Sequence, residues 1–263
     1  MSEADHADAP EEESGRHLVQ SLSRGLAVIR AFDRNAASMT LSDVAHRTGL
    51  SRAVARRFLL TLVRDGYATT DGKYFRLAPK VLDLGYAFLT SLDVWAVAQP
   101  VMAEVVAQTG EACSAAVLDG AEIVYVARVA AGRIIQVGLN VGSRLPAFCT
   151  AMGRVLLAGL PPAQMDAVLA EAPRPAFTDR TLIDETALRA AITRAGTAGY
   201  AVVDEELEIG LRSLAVPIHS RAGEVRAAMS ISLQTSRGPL AQVAETCLPA
   251  LRRATSRITE LMR

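Results

Sequence analysis

The stretch from Thr40 to Asp65 constrains the fold most, because its residues predict two helices separated by a single glycine turn. Thr40 and Asp43 have the spacing of a helix-capping pair, and Gly49 follows the short apolar stripe of the helix that they begin. Ser51 is placed to cap a second, longer helix that runs to about Asp65. A short helix, a glycine turn and a longer helix together predict a helix-turn-helix.

The longer helix has one apolar face and one cationic face. At about 100° per residue, its apolar side chains fall within an arc of roughly 140°. Arg52, Arg56 and Arg57 fall on the other side with the small Ala53, and no acidic residue occurs before Asp65. Guanidinium groups suit bidentate contacts to phosphates and to guanine edges in a major groove. We therefore expect this face to bind DNA, and a merely solvated face is the alternative.

The residues on either side of this helix complete the predicted module. Helical spacing of apolar residues predicts a first helix over 23–32, capped by Ser23. After the long helix, strands over 67–70 and 73–77 flank Asp71-Gly72, which predicts a two-residue hairpin with Lys73 on the returning strand. A basic hairpin in this place is typical of a DNA-contacting wing. The predicted DNA-binding residues are Thr40, Ser42, Ser51, Arg52, Ala53, Arg56, Arg57 and Lys73.

The formal net charge of zero conceals a segregated charge distribution. Residues 1–15 contain six acidic residues and no basic one, whereas residues 16–80 contain twelve Lys and Arg residues against four Asp residues, a net charge of +8. Such a charge on a small module indicates a polyanion-binding domain, unless the arginines are exposed by chance. Residues 1–17 are predicted to form an acidic, flexible tail.

Length and composition exclude several classes of protein. The chain has 263 residues, half of them hydrophobic, which favours one large or two modest domains with real cores. No apolar run reaches the roughly 18 residues that a membrane span needs, and the acidic N-terminus differs from a signal peptide, so we expect a cytoplasmic protein without membrane contact. Three distant cysteines fit neither a disulfide framework nor zinc spacing.

The rest of the chain predicts a joining helix followed by an α+β domain. Residues 18–79 form the predicted winged helix-turn-helix, 80–92 a linker helix opened by Pro79, and 93–263 the second domain. The linker is apolar on more than one face, which leaves open whether it packs on a partner chain or on its own chain. Antiparallel strands with helices at their margins indicate a sensor-like domain. The predicted strands are 112–118, 122–129, 133–137, 200–204, 212–219 and 225–234, and the predicted helices are 152–158, 162–172, 185–195 and a last one from Pro239 onward.

Two elements of the second domain are candidates for ligand binding. The strand 225–234 alternates, with an apolar side that must face helices and a hydroxyl side, including Ser230 and Ser232, that faces either water or a polar pocket. At the start of the predicted helix after Thr150, the unpaired amides favour a carboxylate, although an ordinary capped helix is the alternative. Arg133 and Arg144 could add positive charge, and the acidic residues 204–208 lack the histidine that would indicate a metal site.

The sequence LSDVAHRTGLSRAVARRFLLTLVRDGYATTDGKYFRLAPKVLDLGYAFL resembles the DNA-binding half of IclR-type bacterial transcriptional regulators. Its segment SRAVARRFLLTL is similar to the branch that controls aromatic-acid catabolism through protocatechuate and β-ketoadipate, and the similarity extends from about Leu18 onward. The resemblance implies a GAF/PAS-like effector domain, a linker helix that helps to form a dimer or tetramer, and a symmetric double-stranded operator.

The resemblance also implies where a small organic acid binds. In IclR-type regulators the two strand serines, a small polar residue and an acidic pair line the effector site, and the ligand carboxylate lies at a helix start. Here Val203 occupies the first position of the acidic pair, which leaves only the second acid. The implied effector-binding residues are Thr150, Ala151, Met152, Asp204, Ser213, Ser230 and Ser232.

Catalysis is the main rival class. The chain lacks GxSxG, HExxH, GxxxxGK[ST] and GxGxxG, and its four histidines form no evident constellation: His6, His17, His46 and His219. Cys149, which precedes a helix, is the best candidate for a low-pKa nucleophile. A ligand-free architectural DNA-binding protein would leave the C-terminal residues unexplained. We therefore predict a DNA-binding transcriptional regulator that responds to an aromatic or dicarboxylic acid, without cofactor, metal or enzymatic activity.

Overall fold

The computed structural model describes residues 18–91, 94–131 and 139–261. The chain divides into two compact units with their boundary between Phe88 and Leu89. The predicted acidic tail, residues 1–17, lies outside the described residues. Within the described ranges, no helix combines the length and hydropathy that crossing a bilayer requires.

The first unit begins with three helices around a small apolar core. They are α1 (Gln20–Arg30), α2 (Leu41–Thr48) and α3 (Arg52–Arg64). Val28 and Leu59 are fully buried in the core that these helices share. The prediction that α1 begins at Ser23 is wrong: the helix begins one turn earlier, because residues 20–22 contain no helix breaker, and Ser23 lies inside it.

The helices of the helix-turn-helix begin and end at the capping residues that the sequence predicts. The Thr40 hydroxyl accepts the amide of Asp43 (3.3 Å), and an Asp43 carboxylate oxygen accepts the amide of Thr40 (2.9 Å), which forms the predicted capping box. Gly49 ends α2 with φ = 66°, in the left-handed region that glycine adopts without strain. The Ser51 hydroxyl accepts the amide of Val54 (3.4 Å) at the start of α3. The predicted helix-turn-helix is confirmed.

A three-stranded sheet completes this unit as a wing. Its strands are β1 (Met39–Thr40), β2 (Ala68–Thr70) and β3 (Tyr74–Leu77), in the order β1–β3–β2. The hairpin is confirmed, but the turn lies one residue later than the predicted Asp71-Gly72: the Asp71 amide donates to the Tyr74 carbonyl (3.3 Å), and the Asp71 carboxylate accepts the amides of Lys73 (3.0 Å) and Tyr74 (2.7 Å). Lys73 therefore lies in the loop and not on the returning strand.

Two helices follow the wing along the chain: the first contains the boundary between the units, and the second belongs to the second unit. A 3₁₀ turn (Pro79–Val81) leads into α4 (Leu82–Ser91), in agreement with the predicted linker helix, whose last residue lies outside the described ranges. The next helix, α5 (Val94–Thr109), was not predicted. Its sequence is apolar on most sides and contains Pro100, and both features obscure helical periodicity.

The second unit is a six-stranded antiparallel sheet with helices on both faces, which confirms the predicted α+β class. The sheet order is β6–β5–β4–β9–β8–β7. Short β6 was not predicted, and the predicted strand 133–137 lies outside the described residues. The strands are β4 (Ala112–Asp119), β5 (Glu122–Val129), β6 (Arg144–Pro146), β7 (Ala201–Asp204), β8 (Leu211–His219) and β9 (Val225–Gln234). The helices are α6 (Ala151–Ala158), α7 (Pro162–Glu171), α8 (Glu185–Ala198) and α9 (Leu240–Leu261), the last after a 3₁₀ turn (Thr235–Arg237).

The alternation of β9 places its two sides in different surroundings. The apolar side, which includes Met229 and Ile231, packs in a core with α5 and α9, as predicted. On the other side, Ala228 packs in a second core with α6. Ser230 and Ser232 lie on the same side of β9 as Ala228, closer to the C-terminal end of the strand, and Ser230 is buried. The hydroxyl side therefore faces the protein interior at this end of the sheet.

Candidate DNA-binding face and ligand cavity

The N-terminal half of α3 presents an uncompensated cationic surface. Arg52, Arg56 and Arg57 are all exposed, and within the described chain none of their guanidinium groups forms a hydrogen bond or an ion pair. Ala55 and Leu59, on the opposite side of the helix, are fully buried. The apolar face thus fixes α3 in the core, while three guanidinium groups remain available to a polyanion.

The four acidic residues among residues 16–80 do not neutralise that surface. Each carboxylate is held by a local hydrogen bond, which lowers its pKa and keeps it ionised at neutral pH. The partners are Arg47 for Asp33, the amide and hydroxyl of Thr40 for Asp43, Arg64 for Asp65, and the amides of Tyr74 and Lys73 for Asp71. The excess positive charge of this unit is therefore concentrated on the remaining basic side chains.

The other predicted DNA-binding residues differ in availability. Ser42, Ala53 and Lys73 are exposed, and the Lys73 Nζ lies 5.2 Å from the centre of the Tyr74 ring. The Thr40 hydroxyl donates to an Asp43 carboxylate oxygen (2.8 Å) while it accepts the Asp43 amide, so its polar atom is already engaged. Ser51 is exposed, with its hydroxyl on the first turn of α3.

A small cavity lies between the sheet and the start of α6. Its volume is about 40 Å³, and it shares Leu139, Leu145, Leu207, Leu211 and Ser232 with an adjoining groove of about 640 Å³. Six of the seven predicted effector-binding residues line the cavity: Thr150, Ala151, Met152, Ser213, Ser230 and Ser232. Tyr125, Cys149 and Val203 line it too, and no charged residue is among the described lining.

Asp204 is the predicted effector-binding residue that the structure places elsewhere. Adjacent residues of a strand point to opposite faces of a sheet. Val203 pairs with Ser213 on the cavity side, and Asp204 pairs with Arg212 on the other. The Arg212 Nε lies 2.8 Å from one Asp204 carboxylate oxygen, and a second guanidinium nitrogen lies 3.0 Å from the other. The Asp204 carboxylate is thus part of a bidentate ion pair and not of the cavity.

The start of α6 offers amide donors to the cavity. The Thr150 hydroxyl caps the helix by accepting the amide of Gly153 (3.2 Å). In the first turn, the amides of Ala151 and Met152 have no acceptor within the helix. Backbone amides at a helix N-terminus, together with the helix dipole, favour a carboxylate.

A close backbone contact fixes this helix start. A Cβ atom on Gly153 would lie 2.1 Å from the carbonyl oxygen of Ala147 and 2.3 Å from its Cα. The turn before α6 is held in turn by hydrogen bonds from the Ala147 amide to the Ala121 carbonyl (2.9 Å) and from the Thr150 hydroxyl to the Pro146 carbonyl (3.1 Å). Only glycine fits at position 153 without displacing backbone.

Burial determines the protonation of the two titratable groups in the cavity. Burial raises the pKa of Tyr125 to about 12, so its hydroxyl stays protonated at neutral pH. Burial and the nearby Glu206 carboxylate raise the pKa of the Cys149 thiol to about 12. The predicted low-pKa thiolate is therefore wrong, because desolvation outweighs the position of Cys149 near a helix start.

The remaining charged candidates are compensated by neighbours. Arg144 forms ion pairs with Asp119 (2.6 Å) and Glu122 (2.7 Å), and Arg133 lies outside the described residues. The acidic residues after β7 pair with arginines: Glu205 with Arg180, and Glu206 with Arg154. Among the described residues, no group of three His, Cys, Asp or Glu side chains is placed to hold a metal ion.

Sequence reasoning missed much of the apolar lining of the cavity. Leu139, Leu145 and Leu207 come from segments far apart in the chain, and Tyr125 lies on the predicted strand 122–129. Apolar residues at these places are equally typical of an ordinary core. No local signal separates a cavity wall from a packed interior, so only the assembled sheet identifies these side chains.

Comparisons with known proteins agree with this architecture over most of the chain. Residues 21–72 match the family description "IclR helix-turn-helix domain", and residues 86–260 match "Bacterial transcriptional regulator IclR C-terminal". The Pca regulon regulatory protein of Pseudomonas putida is 44% identical over 235 residues, which cover 89% of this chain and 81% of that protein.

Solved structures give the same result. A crystal structure of a protein from Rhodococcus sp. RHA1 is 47% identical, with a TM-score of 0.84 over 93% of this chain and 98% of that one. The structure of an IclR homolog complexed with 4-hydroxybenzoate, from Microbacterium hydrocarbonoxydans, is 27% identical, with a TM-score of 0.82 over 92% of this chain and 99% of that one. Matched in its helix-turn-helix, its C-terminal domain and its fold, the chain belongs to the IclR family of bacterial transcriptional regulators.

Proposed function

We propose that this regulator binds an operator through the N-terminal half of α3, and that a small organic acid in the α6 cavity changes that binding. The observation that carries the proposal is the cavity itself, which joins the hydroxyls of Ser213, Ser230 and Ser232 to a helix N-terminus, with no charged side chain among the lining residues that the structure describes. We further propose that the chain catalyses no reaction, since the thiol of Cys149 is buried and protonated.

The proposed DNA contacts combine base reading with backbone contacts. Arg52, Arg56 and Arg57 enter a major groove, where guanidinium groups bind guanine edges or phosphates. Ala53 is small enough to permit close approach of the helix, Ser42 and Ser51 lie near the DNA backbone, and Lys73 contacts a phosphate from the wing. Thr40 acts indirectly, because its hydroxyl is engaged in the cap that fixes the start of α2.

Replacing Arg56 tests this part of the proposal. The full-length protein is first used to select bound fragments from random DNA, which supplies an operator for affinity measurements. Arg56→Ala should cost about 1–3 kcal/mol if the side chain reads a base, equivalent to roughly 5- to 150-fold weaker binding. Arg226→Ala is the matched control, because Arg226 is exposed on the second unit and its loss changes the net charge equally. Equal affinities for both variants would remove Arg56 from the interface.

The proposed effector is an acid with an apolar body. Its carboxylate accepts the amides of Ala151 and Met152, and the serine hydroxyls bind polar groups of the ligand. A volume of about 40 Å³ is smaller than the roughly 150 Å³ cavity that accommodates benzene, so an aromatic ring extends into the adjoining groove beside Leu207 and Leu211. The 4-hydroxybenzoate in the Microbacterium structure and the Pca regulon relative support aromatic or dicarboxylic acids as candidates.

Thermal unfolding with a panel of acids tests the effector class. We expect 4-hydroxybenzoate, protocatechuate or β-ketoadipate to stabilise the protein, by about 2.7 kcal/mol at a concentration one hundred times the Kd. Ser230→Ala should weaken binding of the active acid roughly 2- to 13-fold, because a hydrogen bond between neutral groups contributes about 0.5–1.5 kcal/mol. Ser220→Ala, at an exposed turn, is the control. Absence of any stabilisation at millimolar acid would contradict the effector assignment, and turnover of an acid would indicate an enzyme.

The effector must also alter the affinity of the protein for the operator. This requires that the effector binds two conformations of the protein with different affinities, and that these conformations differ in operator binding. Operator binding is therefore measured with and without the active acid, and an unchanged affinity would contradict the proposed effect of the acid on operator binding.

We also propose that the regulator is a homo-oligomer that reads a symmetric operator through paired helix-turn-helix units. On α4, Leu82 and Leu84 are exposed, which suits burial against a second copy. Light scattering after size-exclusion chromatography gives the mass in solution, and L82E/L84E should shift it toward the monomer. A monomeric wild-type protein would contradict this proposal.

A further inference from the structure

A buried ion pair lies beside the cavity without being part of its lining. Arg154 and Glu206 are 4% and 7% exposed, and a guanidinium nitrogen of Arg154 lies 2.6 Å from a carboxylate oxygen of Glu206. The Arg154 Nε also donates to the carbonyl of Phe148 (3.1 Å), and the same Glu206 oxygen accepts the amide of Leu182 (3.0 Å). One ion pair thus connects the start of α6 with two separate loops.

Both partners adjoin residues of the cavity wall. The carbonyl that Arg154 binds belongs to the residue before Cys149, and Glu206 precedes Leu207, which lines both the cavity and the groove. The Cys149 thiol lies close enough to sense both charges, since Glu206 raises its pKa and Arg154 lowers it. The ion pair therefore supports the wall from behind.

The loop that carries Leu207 depends on such support. Glu205 has φ = 61°, a left-handed conformation that is unfavourable for a residue with a side chain. Its carboxylate accepts the amide of Gly210 (2.8 Å) and pairs with Arg180, and its carbonyl accepts the hydroxyl of Thr178 (2.7 Å). A strained loop held by several polar contacts changes shape when one of them is lost.

We infer that Arg154 and Glu206 are positioning residues for the effector site: their ion pair holds the amide donors of α6 and the Leu207 loop in register with one another. A buried ion pair is a weak source of net stability, because desolvation of both charges offsets their attraction. Its effect here is geometric, since Arg154 binds the backbone of the turn before α6 and Glu206 binds the backbone of a separate loop at Leu182. The ligand part of this inference rests on the proposed function.

The test separates positioning from stability. R154M/E206L removes both charges and fills the space with apolar atoms, an exchange that is often neutral or stabilising. We expect its unfolding midpoint to stay near that of the wild type, while its Kd for 4-hydroxybenzoate rises at least about tenfold. Amide hydrogen exchange of residues 147–152 and 205–211 should also become faster, with no change in β4. The control R257Q/E104Q removes an ion pair that joins α9 to α5 on the other face of the sheet and should leave the affinity and the exchange unchanged.

One further variant, R154K, separates the charge of Arg154 from its hydrogen-bonding geometry. R154K keeps the charge but lacks the guanidinium that binds Phe148 and Glu206 together, so it should show a smaller loss of affinity; it carries the test if the double variant fails to fold. Wild-type affinity and wild-type exchange in the folded variant would refute the inference. If the wild type does not bind 4-hydroxybenzoate, that effector assignment fails, and the exchange rates of the two segments alone decide whether the ion pair positions them.

Discussion

The contact between Gly153 and the Ala147 turn can be tested by adding one methyl group. An alanine Cβ at position 153 would lie 2.1, 2.3 and 2.5 Å from the carbonyl oxygen, Cα and carbonyl carbon of Ala147. All three are backbone atoms, and the turn cannot recede freely because the Ala147 amide is bonded to the Ala121 carbonyl. The first turn of α6 must therefore move, which disturbs the amide donors of the proposed effector site.

The expected cost follows from the packing of this region. Forcing extra atoms into a well-packed core costs about 1–3 kcal/mol. Replacing a helical glycine by alanine without a clash would instead stabilise the protein by roughly 0.5–1 kcal/mol. For a domain of this size, 1 kcal/mol corresponds to a change in Tm of about 2–4 °C, so we expect Gly153→Ala to lower the Tm by about 2–12 °C.

Gly196→Ala provides the matched control in the same domain. A Cβ atom on Gly196, in the last turn of α8, would meet the Ala158 side chain at 3.4 Å, an ordinary contact. The control should therefore raise the Tm, by about 1–4 °C. Both variants are followed by circular dichroism during thermal unfolding. If Gly153→Ala matched or exceeded the wild type, the start of α6 would not rest on the Ala147 backbone as described.

Two predictions concern titratable groups. Hydrogen bonds lower the pKa values of four carboxyl groups, those of Asp33, Asp43, Asp65 and Asp71. Their contribution to the free energy of unfolding is therefore fully present above the unfolded-state pKa of 3.8. It is lost as the pH falls through the lower folded-state pKa values. Thermal unfolding of the first unit between pH 7 and pH 2.5 should show this loss, and a constant Tm across that range would contradict it. The second prediction concerns the three cysteines, which are all buried and have raised pKa values: Cys113, Cys149 and Cys247. Iodoacetamide at pH 7.5 should therefore modify them only after denaturation. Rapid labelling of Cys149 in the native protein, detected by mass spectrometry, would support the hypothesis that Cys149 is a nucleophile.

The helix-turn-helix could be predicted from the sequence because its signals are local. The Thr40–Asp43 cap, the left-handed Gly49 and the Ser51 cap each depend on residues within four positions along the chain. The apolar stripe of α3 is a property of one helix. The position of the hairpin turn was predicted one residue too early, because the Asp71 side chain binds the amides of Lys73 and Tyr74, a contact that the residue pair Asp71-Gly72 does not indicate.

In the second unit, the structure differs from the sequence-based expectations where tertiary contacts determine the environment of a residue. Neighbouring residues of β7 point to opposite faces of the sheet, so Val203 faces the cavity and Asp204 faces away from it. The helix-proximal position of Cys149 suggested a thiolate, but the pKa depends on burial by elements far along the chain. The buried ion pair of Arg154 could not be predicted from the sequence, because its partner Glu206 lies 52 residues away along the chain.

The absence of charge from the described cavity lining suits a site that must be stable both empty and occupied. A lone arginine inside the cavity would bind a carboxylate strongly, but without ligand it would be a buried, uncompensated charge at a cost of several kcal/mol. Amides at a helix start and serine hydroxyls carry only partial charges, so the empty cavity avoids that cost. The buried arginines nearby, Arg154 and Arg212, each have a permanent carboxylate partner instead. The proposed site would thus bind an anion through neutral donors in the interior, whereas the guanidinium groups of Arg52, Arg56 and Arg57 lie on the exposed face of α3, where water solvates them.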